Sequence, residues 1–195
     1  MNFYILLLMA CFTFFLSANA SEINGIEKKS LYSGGMLILQ PSYVIMQNPD
    51  YKITARGGGI GGILRYYIGS NLAAGIYGGR QNANYKTDES GNSYISLTHG
   101  GVFLGVTHKS GRFRYNISMG IGRGNINNLH ITNQDGNELN EAYFYDYGTM
   151  VYVPFVSADY EITQRLLLTV QTSYYFADNM NYQSPVIQIG LLFNR

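Results

Sequence analysis

The stretch Arg112-Phe113-Arg114-Tyr115-Asn116-Ile117-Ser118-Met119-Gly120-Ile121-Gly122 decides the fold. Phe113, Tyr115, Ile117, Met119 and Ile121 are apolar, and every residue between them is polar or small. Strict alternation with period two belongs to a strand with one apolar face. It continues for about the 9–11 residues that a tilted strand needs to cross a bilayer. The polar face then requires a wet or internally paired environment. A closed barrel, with lipid outside and polar side chains inside, satisfies both faces and leaves no open sheet edge in hydrocarbon.

Composition agrees with that reading. The 195 residues carry 13 basic and 12 acidic side chains, so no charge excess steers the chain to nucleic acid. Charged residues make up 13%, where a soluble protein carries about a quarter. Hydrophobic content is an ordinary 46%, and past the N-terminus no apolar run reaches the length of a membrane helix. Few charges without long apolar runs suits strands that are apolar on one face only. Trp is absent, and the 18 Tyr can form the interfacial belts, each ring apolar with a wet hydroxyl.

Residues 1–20 read as a cleaved secretory signal, with an apolar core from Phe3 to Leu16 and the small-x-small pattern Ala18-Asn19-Ala20. Leu8-Met9-Ala10-Cys11 loosely resembles a lipidation box, but the apolar run continues past it. Cleavage after Ala20 leaves a chain without cysteine, hence without disulfide or thiol chemistry. Residues 21–33 read as a short periplasmic lead-in and 34–195 as the barrel.

Along the chain, Met36 to Met46 is the first strand candidate, with Leu37, Leu39, Pro41, Tyr43 and Ile45 on the apolar face and Gln40 and Ser42 opposite. In the second, Ile60, Leu64, Tyr66 and Ile68 face out while Ile63 and Arg65 face in. Its centre, Gly57 to Gly62, is too glycine-rich to hold a phase, and no helix or Lys-Ser/Thr follows to make it a phosphate loop. Strands three and four run over Leu72–Lys86 and Ser93–Lys109, and the opening stretch is strand five. In strand six, Tyr152, Pro154, Val156, Ala158, Tyr160 and Ile162 alternate with Val153, Phe155, Ser157, Asp159 and Glu161. Strand seven starts at Leu166, and strand eight runs over Val186–Arg195. Tight turns at Gly69-Ser70-Asn71, Ser110-Gly111 and Thr163-Gln164-Arg165 alternate with longer loops. The expectation is an all-β, eight-stranded antiparallel up-and-down transmembrane barrel, with short periplasmic turns and longer extracellular loops.

Asp135-Gly136 is a two-residue hairpin signal. If Gln134 and Asn137 close that turn, Arg112 faces Asp159, Arg114 faces Ser157 and Tyr115 faces Val156. Inner positions then meet inner positions, whereas a one-residue slip would set each Arg against a lipid-facing residue. Strands five and six should thus project past the membrane as a paired ribbon, from about Asn125 to Gly148. Its tip, Asn133, Asp135, Gly136 and Asn137, is a candidate interaction surface.

Arg65, Arg112, Arg114, Asp159 and Glu161 fall on inner faces near the tight turns and should form an inner salt-bridge cluster. The cluster reads either as an ion path or as a side-chain plug, and the narrowness of eight strands favours the plug. No catalytic, metal or cofactor residue is assigned. His99 and His130 lack metal-ligand spacing, and the tip has too few carboxylates for calcium.

The eight alternating strands, the asymmetric connections and the final Leu191-Leu192-Phe193-Asn194-Arg195 together resemble the small outer-membrane barrels of the OmpA/OmpX type. The resemblance implies a Gram-negative-type outer membrane, lipid partners including lipopolysaccharide, the outer-membrane assembly machinery, and a structural or adhesin-like role with an extracellular protein partner. Two rivals are open. His108-Lys109-Ser110 faintly resembles the His-x-Ser arrangement of lipid A deacylases, but it lies beside a tight turn without an acidic orienting residue. A secreted lipocalin-like barrel would need the reverse arrangement of faces.

Overall fold

The computed structural model describes residues 31–47, 52–87, 93–135, 138–178 and 181–195. The signal segment, most of the lead-in, and Gly136 and Asn137 at the ribbon tip lie outside the described residues. Eight strands follow in order: β1 (Tyr32–Gln47), β2 (Lys52–Ile68), β3 (Leu72–Tyr85), β4 (Ser93–Ser110), β5 (Phe113–Asp135), β6 (Glu138–Thr163), β7 (Leu166–Ala177) and β8 (Tyr182–Asn194). Each pairs antiparallel with its neighbours, and β1 pairs with β8 to close the ring. Closure gives every strand two neighbouring strands, so the ring has no open sheet edge. The tight turns fall after β2, β4 and β6, and Gly69 (φ 66°) and Gly111 (φ 57°) supply the left-handed conformations that the first two require.

The predicted faces of β2, β5, β6, β7 and β8 stand as read. Ile60, Tyr66, Met119, Val156, Val170 and Phe193 are exposed on the outer surface, and Ile63, Arg65, Ser157, Asp159, Gln171 and Ser173 are buried in the lumen. The glycine-rich centre of β2 keeps phase, because its register with β3 runs without a shift from Arg56↔Asn84 to Ile68↔Leu72.

Two expectations are corrected. Leu37 does not face lipid: it is buried, while Ile38 and Leu39 are both about 60% exposed. The register of β1 shifts between Leu37 and Gln40, a bulge whose extra residue reverses the phase. The Gln40 side-chain amide donates to the Leu37 carbonyl at 2.8 Å. The second correction is the β5–β6 register. Arg114, not Arg112, faces Asp159, and Tyr115 faces Ala158. The last pair of the described ladder is Asp135↔Glu138. From Phe113 to Ile131 every partner lies two residues from the expected one, which preserves the side-chain faces.

Several lumen-facing glycines are there to make room. A Cβ on Gly120 would come within 2.9 Å of the Tyr77 ring, and one on Gly75 within 2.6 Å of the Phe103 ring. Large inner side chains can therefore fill a narrow barrel that larger residues at these positions would overfill.

The outside and inside exchange character partway up the barrel. In the half next to the tight turns, the outer surface is apolar (Ile68, Leu72, Leu104, Phe113). The lumen there is largely hydrogen-bonded polar side chains. Toward the other end the outer positions become Thr54 and Arg56 on β2, Arg80, Asn82 and Asn84 on β3, Thr98 on β4, and Arg123 and Asn125 on β5. Arg80 pairs with Thr98 and Thr98 with Asn125, so the change falls along one row of the sheet. Behind these polar positions the lumen holds the apolar Val44, Met46, Ile95, Leu97, Ile126 and Val151, all at most 1% exposed, with Gln81, Asn128 and Ser184 buried among them. The first half suits lipid and the second suits water.

Candidate functional site

The five inner charges predicted as one cluster separate into a buried pair and a rim. Arg65 on β2 reaches across the lumen to β6. Its Nη1 donates to Asp159 Oδ2 at 2.6 Å and its Nη2 to Ser157 Oγ at 3.2 Å. Asn116 of β5 donates to the same Asp159 oxygen at 3.0 Å, and Thr169 of β7 donates to the other at 2.9 Å. Both charged side chains are fully buried. A buried ion pair is tolerated when further hydrogen bonds surround it, and here Ser157, Asn116 and Thr169 supply them, while Arg65 Nε has none.

The others stand apart from that pair. Arg114 lies with its guanidinium carbon 4.0 Å from the centre of the Tyr67 ring, a cation–π contact. Arg112 is exposed at the turn, where its carbonyl accepts from the Glu161 amide at 2.8 Å. Glu161 pairs with Lys109 at 3.8 Å, both partly solvated, a contact worth little.

Above the ion pair lies a second polar net that the sequence reading did not single out. Gln171 donates to Gln188 at 2.7 Å and to Ser173 at 2.9 Å, and Ser173 donates to Gln188 at 2.6 Å. A cavity of about 10 Å³, room for one water, is lined by Gln40, Tyr77, His99, Gln171 and Gln188 among others. His99 sits there between Tyr77 (5.8 Å) and Tyr175 (4.6 Å), ring centre to ring centre. Beyond it the lumen fills with the apolar side chains already named. The ion pair and this apolar plug thus occupy the bore in series.

Of the other histidines, His108 is exposed beside the tight turn, as is Ser110. His130 Nδ1 is 3.0 Å from the Tyr85 hydroxyl, which also donates to Asn128 at 2.7 Å. No group of three potential metal-ligating side chains is present among the described residues.

The β5–β6 hairpin rises past the rest of the barrel. β5 pairs with β4 as far as Leu129, and with β6 to its end. β7 accompanies β6 in register from Val151, and the Asp178 amide donates to the Met150 carbonyl at 3.4 Å. Of the predicted tip residues, Asn133 pairs with Glu141 and Asp135 with Glu138. On one face of β6, Tyr143, Tyr145 and Tyr147 stack in a row, with ring centres 6.4 and 6.0 Å apart. The Tyr143 hydroxyl donates to Glu141 at 2.6 Å, which holds the Glu141 carboxyl below and the Tyr143 hydroxyl above their ordinary ranges. Phe144 on the opposite face is 59% exposed. The sequence signal for this row is Tyr at every second position.

An eight-stranded antiparallel ring with an apolar belt outside and a paired polar lumen inside is a transmembrane barrel of the small outer-membrane class. Solved structures carry the same architecture. Ail, the attachment invasion locus protein of Yersinia pestis, in complex with the heparin analogue sucrose octasulfate, aligns over 85% of this chain and 97% of its own, at TM-score 0.51 and 15% identity. The Neisserial surface protein NspA aligns over 84% of this chain and 96% of its own, at TM-score 0.54 and 10% identity. At these identities the likeness is one of fold. The sequence matches no family model and no curated protein.

Proposed function

We propose that this is an integral outer-membrane protein of a Gram-negative-type envelope, acting through surface interaction by its β5–β6 ribbon and not through catalysis or conduction. The observation that carries the reading is the length of the hairpin. Its pairing continues from Asn125↔Gly148 to Asp135↔Glu138, beyond the row where the outer surface turns polar. A paired ribbon holds its shape in water at a lower ordering cost on binding than a flexible loop. The bore supports the rest of the reading, since the buried Arg65–Asp159 pair and the cluster of buried apolar side chains occupy it. Ail is named for attachment and invasion, which is consistent with such a role on this architecture. Lipopolysaccharide and the outer-membrane assembly machinery are the partners this placement implies.

The test replaces residues 130–143 by a two-residue hairpin turn. The shortened barrel should remain heat-modifiable on gels, and cells displaying it should lose adherence to immobilised extracellular proteins that the full protein supports. Unchanged adherence would remove the ribbon from the function. Stepwise single-channel currents through the intact protein in planar bilayers would remove the plug.

A further inference from the structure

The tight-turn end of the barrel carries three arginines, each at a joint between strands. Arg112 lies in the β4–β5 turn beside β6, and its carbonyl accepts from the Glu161 amide at 2.8 Å. Arg165 lies in the β6–β7 turn beside β8, and its carbonyl accepts from the Asn194 amide at 2.9 Å. Arg195 follows β8 beside β1, and its carbonyl accepts from the Leu31 and Tyr32 amides at 2.7 and 2.9 Å. Main-chain bonds thus tie all three residues to the ring, and all three are exposed.

No carboxylate among the described residues forms an ion pair with any of them. The two carboxylates of this half are Asp159, buried against Arg65, and Glu161, which pairs with Lys109. The remaining described carboxylates, Asp135, Glu138, Glu141, Asp146 and Asp178, lie on the strand ends away from the tight turns. An excess of positive charge therefore remains at this rim.

Each arginine also has an exposed apolar neighbour on the outer wall. Phe113 follows Arg112, Ile162 precedes Arg165 by three residues, and Phe193 precedes Arg195 by two, at 44, 46 and 65% exposure. The surface is cationic at its margin and apolar immediately beside it. A phospholipid presents the matching order, a phosphate and then its acyl chains. Guanidinium groups meet phosphate oxygens with paired donors, and their long stems can lie along apolar surface while the head stays wet. An acidic polypeptide would satisfy the arginines and leave the adjoining apolar side chains without a counterpart.

We infer that the arc of Arg112, Arg165 and Arg195 is a binding surface for anionic phospholipid headgroups in the leaflet on the tight-turn side. The guanidinium groups take the phosphates, and Phe113, Ile162 and Phe193 take the upper acyl chains. The arc is one-sided. The β2–β3 turn, Gly69-Ser70-Asn71, carries no charge, so the lipid is held on the side of the ring that runs from β5 to β1. The inference goes beyond the ribbon's role and does not depend on it.

The experiment places the full barrel in nanodiscs of phosphatidylcholine and phosphatidylglycerol in equal amounts. Native mass spectrometry then counts the lipids that stay on the released protein. Phosphatidylglycerol should be retained in preference to phosphatidylcholine. Arg112→Gln, Arg165→Gln and Arg195→Gln should each lower that preference about fivefold, and the triple variant should abolish it. Lysine at the same three positions should keep most of it, since the charge remains. Arg80→Gln with Arg123→Gln, on the outer wall nearer the ribbon, should leave it unchanged. Heat modifiability on gels checks that each variant is folded. Equal retention of the two lipids by the unaltered protein would overturn the inference, as would a folded triple variant that keeps the preference. Loss of the preference in the Arg80, Arg123 variant would place the lipid at the other end of the barrel. Displacement of the lipid by excess inorganic phosphate would reduce the arc to a site for phosphate alone. Binding of a labelled polyglutamate peptide without any lipid preference would assign the arc to an acidic polypeptide.

Discussion

The two halves of this barrel solve the same packing problem with opposite chemistry. Beside the tight turns, apolar side chains face outward and the lumen holds Arg65, Asp159, Asn116 and Thr169 in mutual hydrogen bonds. Toward the ribbon, Arg80, Asn82, Arg123 and Asn125 face outward, and Leu97, Ile126 and Val151 fill the lumen. Backbone pairing is the same throughout. What differs is the solvent, hydrocarbon for one half and water for the other, and each half places its polar groups where they can be satisfied. The second half is in effect a soluble barrel growing out of a membrane barrel, and the ribbon is its continuation.

The largest effect should come from breaking the ion pair of the lipid-spanning half. Asp159→Asn leaves Arg65 buried without its counter-charge and should cost about 3–5 kcal/mol, measured as the urea midpoint for unfolding from lipid vesicles. The double variant Arg65→Met, Asp159→Leu should recover most of that loss, because it removes both charges together. In the half toward the ribbon, Leu97→Ala should cost about 2–5 kcal/mol through the cavity left among Ile95, Ile126 and Val151, and a polar replacement should not rescue it. On the outer wall, Ile121→Arg should cost about 2–4 kcal/mol if it faces hydrocarbon. Asn125→Arg on the same strand should stay within about 0.5 kcal/mol. Equal costs at Ile121 and Asn125 would erase the distinction between the halves.

The smallest effect concerns the ribbon's base. Partial burial holds the His130 imidazole below its ordinary 6.5, so the folded ribbon favours the neutral ring. The unfolded chain then takes up the proton first, and this contribution is complete above pH 6.5 and lost as pH falls through the depressed folded value. A nuclear magnetic resonance titration should place the His130 midpoint below 6.5. A midpoint at or above it would show a ring that is solvated or stabilised as the cation.

Much of this arrangement was legible along single strands. Alternation in β2 and β6 marks which residues share a face, and thereby selects Arg65 and Asp159, 94 residues apart, as inner charges. Three things were not legible, each for a physical reason. The bulge at Ile38 and Leu39 adds one residue to an apolar run that reads equally well in either phase, so Leu37 was placed on the wrong face. The partners across β5 and β6 lie two residues from the Asp135-Gly136 expectation, and a shift by two leaves the faces intact, so face matching cannot detect it. The exchange of polarity at Arg123 lies within one continuous strand, where the alternating pattern fades without a break. The same two-residue shift sets Arg114, in place of Arg112, opposite Asp159.

The most direct test of the two-solvent account follows one strand across the boundary. Nitroxide labels placed singly at residues 115, 117, 119, 121, 123, 125 and 127 of β5 in lipid vesicles report collision with oxygen and with a water-soluble nickel complex. The account expects oxygen to dominate from 115 to 121 and nickel to dominate from 123 to 127, with one crossover between Ile121 and Asn125. Nickel access at 117 or 119, or oxygen-dominated exposure persisting to 127, would contradict it.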